Sequence, residues 1–405
     1  MNSKSQSLFQ LAVIVSALGF FVDVYDLLLF AIIRKPSLAD LGLTPQQILS
    51  EGESLISLQM LGMLIGGIVF GIIGDKKGRL SVLFGSILLY SLANILNGMV
   101  SSLPQYMALR FVAGFGLSGE LGAGLTLVSE LLPKEKRSMA VSIVTGFGIF
   151  GAVSAFFINE MFHWRTCYYI GGGMGIVLLL MRVRVHESGL YKFAKEAHVQ
   201  HGNFFMFFNN RERFFRYIKC ILIGIPVWYI IGVLVTFADQ FGKEFGIENI
   251  DPGKAVMFLY LGIAAGNFSV GALSQKMQSR KKPLFIFYGI TILFVILFFV
   301  QHGNAAVFYA ICMGLGFGIG LNVVYHTFAV EQFGTNLRAS AAISVPNMVR
   351  GALPLILLMF QNFRGAMGSY VRGAVITGVI LFSIAIITAF FTKESFGKDL
   401  DYLEE

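Results

Sequence analysis

The sequence predicts an all-α membrane protein of twelve transmembrane helices, arranged as two related six-helix bundles. Three observations predict it. Of 405 residues, 56% are hydrophobic and 13% charged, whereas a soluble domain carries about 25% charge. Apolar stretches continue for the ~18 residues or more that a membrane-spanning helix needs. The chain also repeats itself weakly at an offset of about 200 residues.

Composition favours helices over a barrel. Gly (46 residues) and Phe (40) are abundant. Small residues let helices approach closely in lipid, and a β-barrel would show short segments of alternating polarity instead. The expected spans are 8–33, 54–73, 80–100, 104–132, 138–160, 166–185, 214–241, 254–275, 283–301, 304–332, 339–362 and 368–391. The longest polar segment between them, 186–213, joins an N-terminal bundle (1–185) to a C-terminal bundle (214–405).

Loop charge gives the expected orientation. Lys76, Lys77 and Arg79, Lys134 and Lys136, Arg182 and Arg184, Arg211 to Lys219, and Lys276 to Lys282 fall on alternate loops, and Asp40, Glu51, Glu53, Glu244 and Asp251 on the others. The positive-inside bias puts both termini and the central segment in the cytoplasm of a bacterial inner membrane. It also accounts for the net charge of +8 without nucleic acid. The first apolar stretch, Leu8 to Ile33, is too long for a signal-peptide core. Cys167, Cys220 and Cys312 lack metal-ligand spacing and read as small apolar residues.

The repeat aligns Gly71–Lys76 with Gly271–Lys276 and Gly114-Phe-Gly116 with Gly314-Leu-Gly316. One residue further out, Ser129–Arg137 aligns with Val330–Arg338. Six helices followed by six similar ones imply a substrate site between the halves, near mid-membrane, exposed alternately to each side.

Gly74-Asp-Lys-Lys-Gly-Arg79 resembles the loop between helices two and three of the major facilitator superfamily. Arg110-Phe-Val-Ala-Gly-Phe-Gly-Leu-Ser-Gly-Glu120, continuing through Glu130, Pro133 and Arg137, is similar to helix four of its metabolite:proton symporters. Phe20-Phe-Val-Asp23-Val-Tyr25-Asp26 resembles helix one of that group and of the phosphate symporters. The resemblance implies secondary active transport. The second-half loop, Ser274–Lys282, lacks the Asp and the Gly-Arg pair, and Arg110 aligns with Ala310. Helix five lacks the Gly-Pro motif of drug-exporting members, which lowers the expectation of antiport.

A carboxylate at Asp75 can cap a helix start and pair with Arg79 or Arg137. The expected cytoplasmic gate is Gly74, Asp75, Gly78, Arg79, Glu130 and Arg137, with Glu331 and Arg338 as second-half counterparts. A topogenic charge cluster is the alternative.

Ionisable groups at membrane depth cost about 2.5–3.5 kcal/mol each on insertion scales, so each is a functional candidate. Asp23 and Asp26 share a face of helix one, three residues apart, beyond its middle toward the outside. Coupling or substrate binding, beside Tyr25, competes with helix packing. Glu120, in the Gly-rich helix four, is the foremost proton-coupling candidate. Arg110 is expected to hold a substrate carboxylate or to neutralise Asp23 or Asp26. Arg350, flanked by Pro346, Asn347 and Pro354 in mid-helix eleven, needs an anion. His326, with Asn322 and Tyr325, reads as a proton relay or a packing histidine. Trp228, Tyr229, Asn267 and Asn347 are candidate cavity residues, and Trp164 with Arg165 an interface anchor.

The expected function is proton-coupled uptake of a small anionic or zwitterionic metabolite, a carboxylate or an amino acid, by alternating access. Export of a drug, metabolite or siderophore is the alternative. No Gly-x4-Gly-Lys-Ser/Thr loop occurs, so ATP is not the driver. No catalytic cluster is found and no cofactor or metal is expected. The expected partners are a small molecule, protons and the bilayer, with the chain acting as a monomer.

Overall fold

The computed structural model describes residues 11–131, 134–183, 204–397 and 404. The described residues are helices and connecting turns, with no strand among them. The first six spans are α1 (Leu11–Asp40), α2 (Pro45–Lys77), α3 (Arg79–Asn97), the pair α4 (Leu103–Leu117) and α5 (Glu120–Leu131), α6 (Lys134–Met161) and α7 (Trp164–Arg182). A short helix α8 (Met206–Asn209) precedes the last six. These are α9 (Arg211–Tyr229) running on through a π-helical turn (Ile230–Val235) to α10 (Ala238–Glu244), α11 (Pro252–Met277), α12 (Lys281–Val300), the pair α13 (Ala305–Ile319) and α14 (Asn322–Glu331), the pair α15 (Thr335–Gly351) and α16 (Leu353–Met367), and α17 (Tyr370–Phe390). Among the described residues, ten stretches are long and apolar enough to cross a membrane; the α4–α5 pair and α7 fall outside that count. The expected linker lies mostly in 184–203, outside the described residues.

Several ends differ from expectation for local reasons. The first helix continues to Asp40 because Arg34, near its end, is buried and matched by a carboxylate. Asp23 and Asp26 therefore stand near its middle rather than toward one end. The second helix begins at Pro45 because Thr44 and Gln47 form a capping box and proline fits the first helical turn. It stops at Gly78, whose φ of 95° suits glycine alone. In the seventh span Pro226 lacks an N–H, and the helix widens into its π-helical turn from Ile230, four residues on. There the Thr236 N–H and hydroxyl both donate to the Ile231 carbonyl, at 3.1 and 2.7 Å. The eleventh span breaks at Ala352, where Pro354 cannot donate back to the Arg350 carbonyl.

The internal repeat is visible as matched backbone contacts. Side chains at Gly62 and Gly66 would strike the carbonyls of Phe111 and Phe115; at Gly262 and Gly266 they would strike those of Met313 and Phe317. Gly114 lies against Gln59 as Gly316 lies against Leu259. The fourth span breaks at Ser118–Gly119 and the tenth at Gly320–Leu321. The second span thus maps onto the eighth at an offset of 200, and the fourth onto the tenth at 202. This corrects the alignment of Gly114 with Gly314. The counterpart of Arg110 is Cys312, not Ala310, and that of Glu120 is Asn322.

Within the first six spans α1 packs on α6, α2 on α4 and α3 on α7. Within the last six α11 packs on α13, α16 on α17 and α9 on α17. The two sets meet chiefly through α2 on α15 and α6 on α11.

Candidate functional site

The centre of the molecule holds two aspartates one turn apart on α1. Asp23 and Asp26 are fully buried, and none of their carboxylate oxygens has a hydrogen-bond partner. Arg350 of α15 and Glu120 of α5 are the charges that act on Asp23. Arg110 of α4 and Asp23 act on Asp26. So each aspartate faces a different arginine, from different sets of spans, with no ion pair closed between them.

Aromatic rings hold Arg110 in place. Its Nη1 donates to the Tyr168 hydroxyl at 3.0 Å, and its guanidinium lies 5.7 Å from the Phe30 ring centre. Tyr168 shares a hydrogen bond with Tyr106 at 2.7 Å, and Tyr106 reaches Ser37 at 3.3 Å. The Arg110 Nε and Nη2 remain without partners. Around Arg350, 7% exposed, stand Tyr260, Tyr325 and His326. Arg350 makes no hydrogen bond or ion pair among the described residues. His326 rests edge-on against Tyr325, ring centres 4.3 Å apart, and its Nε2 lacks a partner.

Glu120 stands differently from expectation. It forms a two-pronged ion pair with Arg182, both 1% exposed, and Arg182 Nη1 also donates to the Leu83 carbonyl at 3.2 Å. A methyl group at Gly19 of α1 would overlap both partners. Arg182, read from sequence as a loop charge, is the residue the sequence reasoning missed. Its signal was the glycines Gly171, Gly172 and Gly175, which let α7 press closely on α1 and α3.

The other candidates divide. Asn347 donates to the carbonyls of Ser118 at 2.8 Å and Ile343 at 2.9 Å, so it binds α15 to the break in the fourth span. Tyr229 does not face the centre: its hydroxyl donates to Ala374 of α17 at 2.7 Å. One residue earlier on the helix, Trp228 lines a small cavity of about 20 Å³ with Leu27, Gln59 and Thr236. Tyr25 donates to the Cys167 carbonyl at 2.8 Å, tying α1 to α7. Asn267, partly buried, keeps an unpartnered carbonyl oxygen, and Asn322 starts α14 with no side-chain hydrogen bond among the described residues. Trp164 is no exposed anchor: it is 2% exposed and donates to Asp40, which also pairs with Arg165.

Of the expected gate, the side chains of Asp75, Arg79, Glu130, Arg137 and Arg338 lie outside the described residues. Gly74 packs near Val82 and Ile343. Glu331 pairs with Arg280 at 2.8 Å. The second-half loop thus keeps an arginine, two residues after left-handed Gln278, as Arg79 follows Gly78. Beside it, burial pushes the Glu394 carboxyl up. Hydrogen bonds from the Ser279 hydroxyl and the N–H groups of Arg280, Phe396 and Lys281 outweigh this and hold it down at about 2.

At the opposite end a second set of charges, not expected from sequence, bridges the two sets of spans. Asp239 takes Lys35 at 2.7 Å and Arg34 at 3.7 Å. Glu53, 2% exposed, pairs with Arg364 at 2.8 Å and accepts from Gln361. No group of three or more potential metal ligands occurs among the described residues.

Residues 11–358 match the family model described as the Major Facilitator Superfamily. The chain belongs to that superfamily. A niacin transporter of Acinetobacter baylyi is 24% identical, with 96% of this chain and 94% of that one aligned. A sialic acid transporter of Escherichia coli is 24% identical over 91% and 89%. A solved D-xylose-proton symporter superposes with a TM-score of 0.74 at 16% identity, covering 97% of this chain and all of that one. The fold is therefore the twelve-helix fold of the superfamily, and this multi-pass membrane protein is a transporter, not an enzyme.

Proposed function

We propose that the protein takes up a small carboxylate together with protons. One observation carries this reading: Arg110 and Arg350, from opposite sets of spans, each face an α1 aspartate without closing an ion pair. A substrate carboxylate can take such a guanidinium in charge-assisted hydrogen bonds. The aspartate that loses its cation is then most stable carrying a proton, because a lone buried carboxylate is costly. Substrate and proton bind together for this reason. Relatives described as carrying niacin, sialic acid and cis,cis-muconate, all carboxylic acids, support the substrate class.

Arg350, with His326, Tyr325 and Tyr260 near it, forms the binding side, and Asn322 belongs to the same proposed set. Asp26, Asp23 and Glu120 form the coupling side. Residues 1–185 and 214–405 rock as two bodies joined by 186–213. Both termini lie in the cytoplasm, so the Gly78 and Gln278 loops face inward and the Asp239 and Glu53 pairs face outward. Asn347 and the residues around Gly74 close the inner end while those pairs close the outer one. The chain works as a monomer.

The test is uptake by proteoliposomes of nicotinate, cis,cis-muconate, 3-(3-hydroxyphenyl)propionate and N-acetylneuraminate under an imposed inward proton gradient. Accumulation of at least one acid above equilibrium is expected. Counterflow without accumulation would show a uniporter, and accumulation only under the reversed gradient would show export.

A further inference from the structure

A second polar feature lies inside the first six spans, away from the Arg350 side. Helix α3 packs on α2, α4, α5 and α7. It carries Ser86, Tyr90, Ser91 and Asn94, each buried at 0% exposure. The hydroxyls of the first three and both amide atoms of Asn94 have no protein partner. Positions 86, 90 and 94 are successive turns of one helix face, and 91 lies beside them. Native interiors leave few such atoms unpaired, and small polar molecules complete most of them.

The row has defined ends. Asn94 lies beside Asp26. Tyr90 stands within the electrostatic reach of Asp26, Asp23, Glu120 and Arg182. On the facing helix α7, Gly171 abuts Asp26, and Gly175 abuts Ser91 and Tyr90. Further along, Arg182 takes Glu120 and the α3 carbonyl of Leu83. The two antiparallel helices therefore carry one continuous polar seam. At ~1.5 Å per residue, the eleven residues from Gly171 to Arg182 span about 16 Å. The other charged groups facing it are Arg110 beside Asp26 and Arg350 beside Asp23.

We infer that this seam is a proton path: a file of water held by Asn94, Tyr90, Ser91 and Ser86 that connects Asp26 to the Glu120–Arg182 pair. The step is a relay. A water beside protonated Asp26 accepts its proton and donates one of its own to the next oxygen, until a proton reaches Glu120. Each water ends with the two protons it began with, and Asp26 is left as the carboxylate. Arg182 ends α7 on the inner side, so the proton leaves there. The path runs between α1, α3 and α7, and a bound substrate at the interface of the two bundles does not block it. This inference rests on the proton-coupled reading of the central site.

Tyr90→Phe and Ser91→Ala remove polar atoms that have no protein partner, so they should leave thermal stability and counterflow intact. Gradient-driven accumulation of the acid carried by the wild type should be lost in the double variant, and a Ser91→Thr single variant should keep it. Equal accumulation by wild type and double variant would overturn the seam alone. A wild type that exchanges but never accumulates would overturn the coupled reading and the seam with it. Independently, high-resolution electron cryomicroscopy of the wild type should show ordered density bridging Tyr90 and Asn94; a dry seam would contradict the path.

Discussion

The first and last six spans share a scaffold and differ in what they place on it. Gly62 and Gly66 press on α4 as Gly262 and Gly266 press on α13, and each set has its fourth helix broken at the matching turn. Yet where the first set carries Arg110 and Glu120, the second carries Cys312 and Asn322. The first set buries three acids and two arginines at its centre: Asp23, Asp26, Glu120, Arg110 and Arg182. The second contributes Arg350. Backbone contact and charge thus follow separate constraints. The contacts are needed twice, and the ionisable chemistry once. On the proposed reading, the symmetric scaffold divides proton handling from substrate binding between its halves.

The largest effect should come from breaking the charged side of this contrast. Arg182→Leu strands Glu120 in the interior, at a cost of about 3–5 kcal/mol, and replacing both partners with apolar residues should restore most of it. Thermal unfolding of the single and double variants in detergent measures this. A single variant as stable as the wild type would mean the pair adds little.

Arg350→Ala should weaken carboxylate binding by about 1.5–3 kcal/mol, the worth of a charged hydrogen bond, with little change in unfolding temperature. Calorimetric titration with the transported acid tests it; unchanged affinity would remove Arg350 from the binding side. Gly62→Leu and Gly262→Leu should each destabilise by about 1–3 kcal/mol through overpacking against a carbonyl. Near-equal losses would sharpen the claim of a shared scaffold, and a loss at one position alone would break it.

The smallest effect concerns the Glu394 cluster. Its folded-state value of about 2 lies below the ordinary 4.5. Its stabilisation is therefore present above pH 4.5 and lost as pH falls toward 2. Glu394→Gln should be slightly less stable than wild type at pH 7, and the gap should close between pH 4.5 and 2. A gap independent of pH would show that the charge contributes nothing.

Much of this was legible in the sequence. Apolar length gave the spans, because membrane thickness fixes helix length. The first-half motifs gave Asp23, Asp26, Arg110 and Glu120, because ionisable groups at depth are few. The partners were not legible. Arg182 looked like a loop charge because its position at a helix end hides its burial. Arg34, Glu53 and Arg364 sat in apparent loops for the same reason, and Asp239 fell near the end of an expected span. Trp228 and Tyr229 are neighbours, and only the turn of the helix past Pro226 decides which one meets the cavity. The register of the repeat slipped by two residues because glycines recur every second or third position there, and only carbonyl contacts resolve it.

The division of labour is tested most directly by measuring counterflow and gradient-driven accumulation side by side on Asp26→Asn and Arg350→Ala. The account predicts that Asp26→Asn exchanges substrate but no longer accumulates it, while Arg350→Ala loses both through weakened binding. Accumulation by Asp26→Asn at the wild-type level would contradict it.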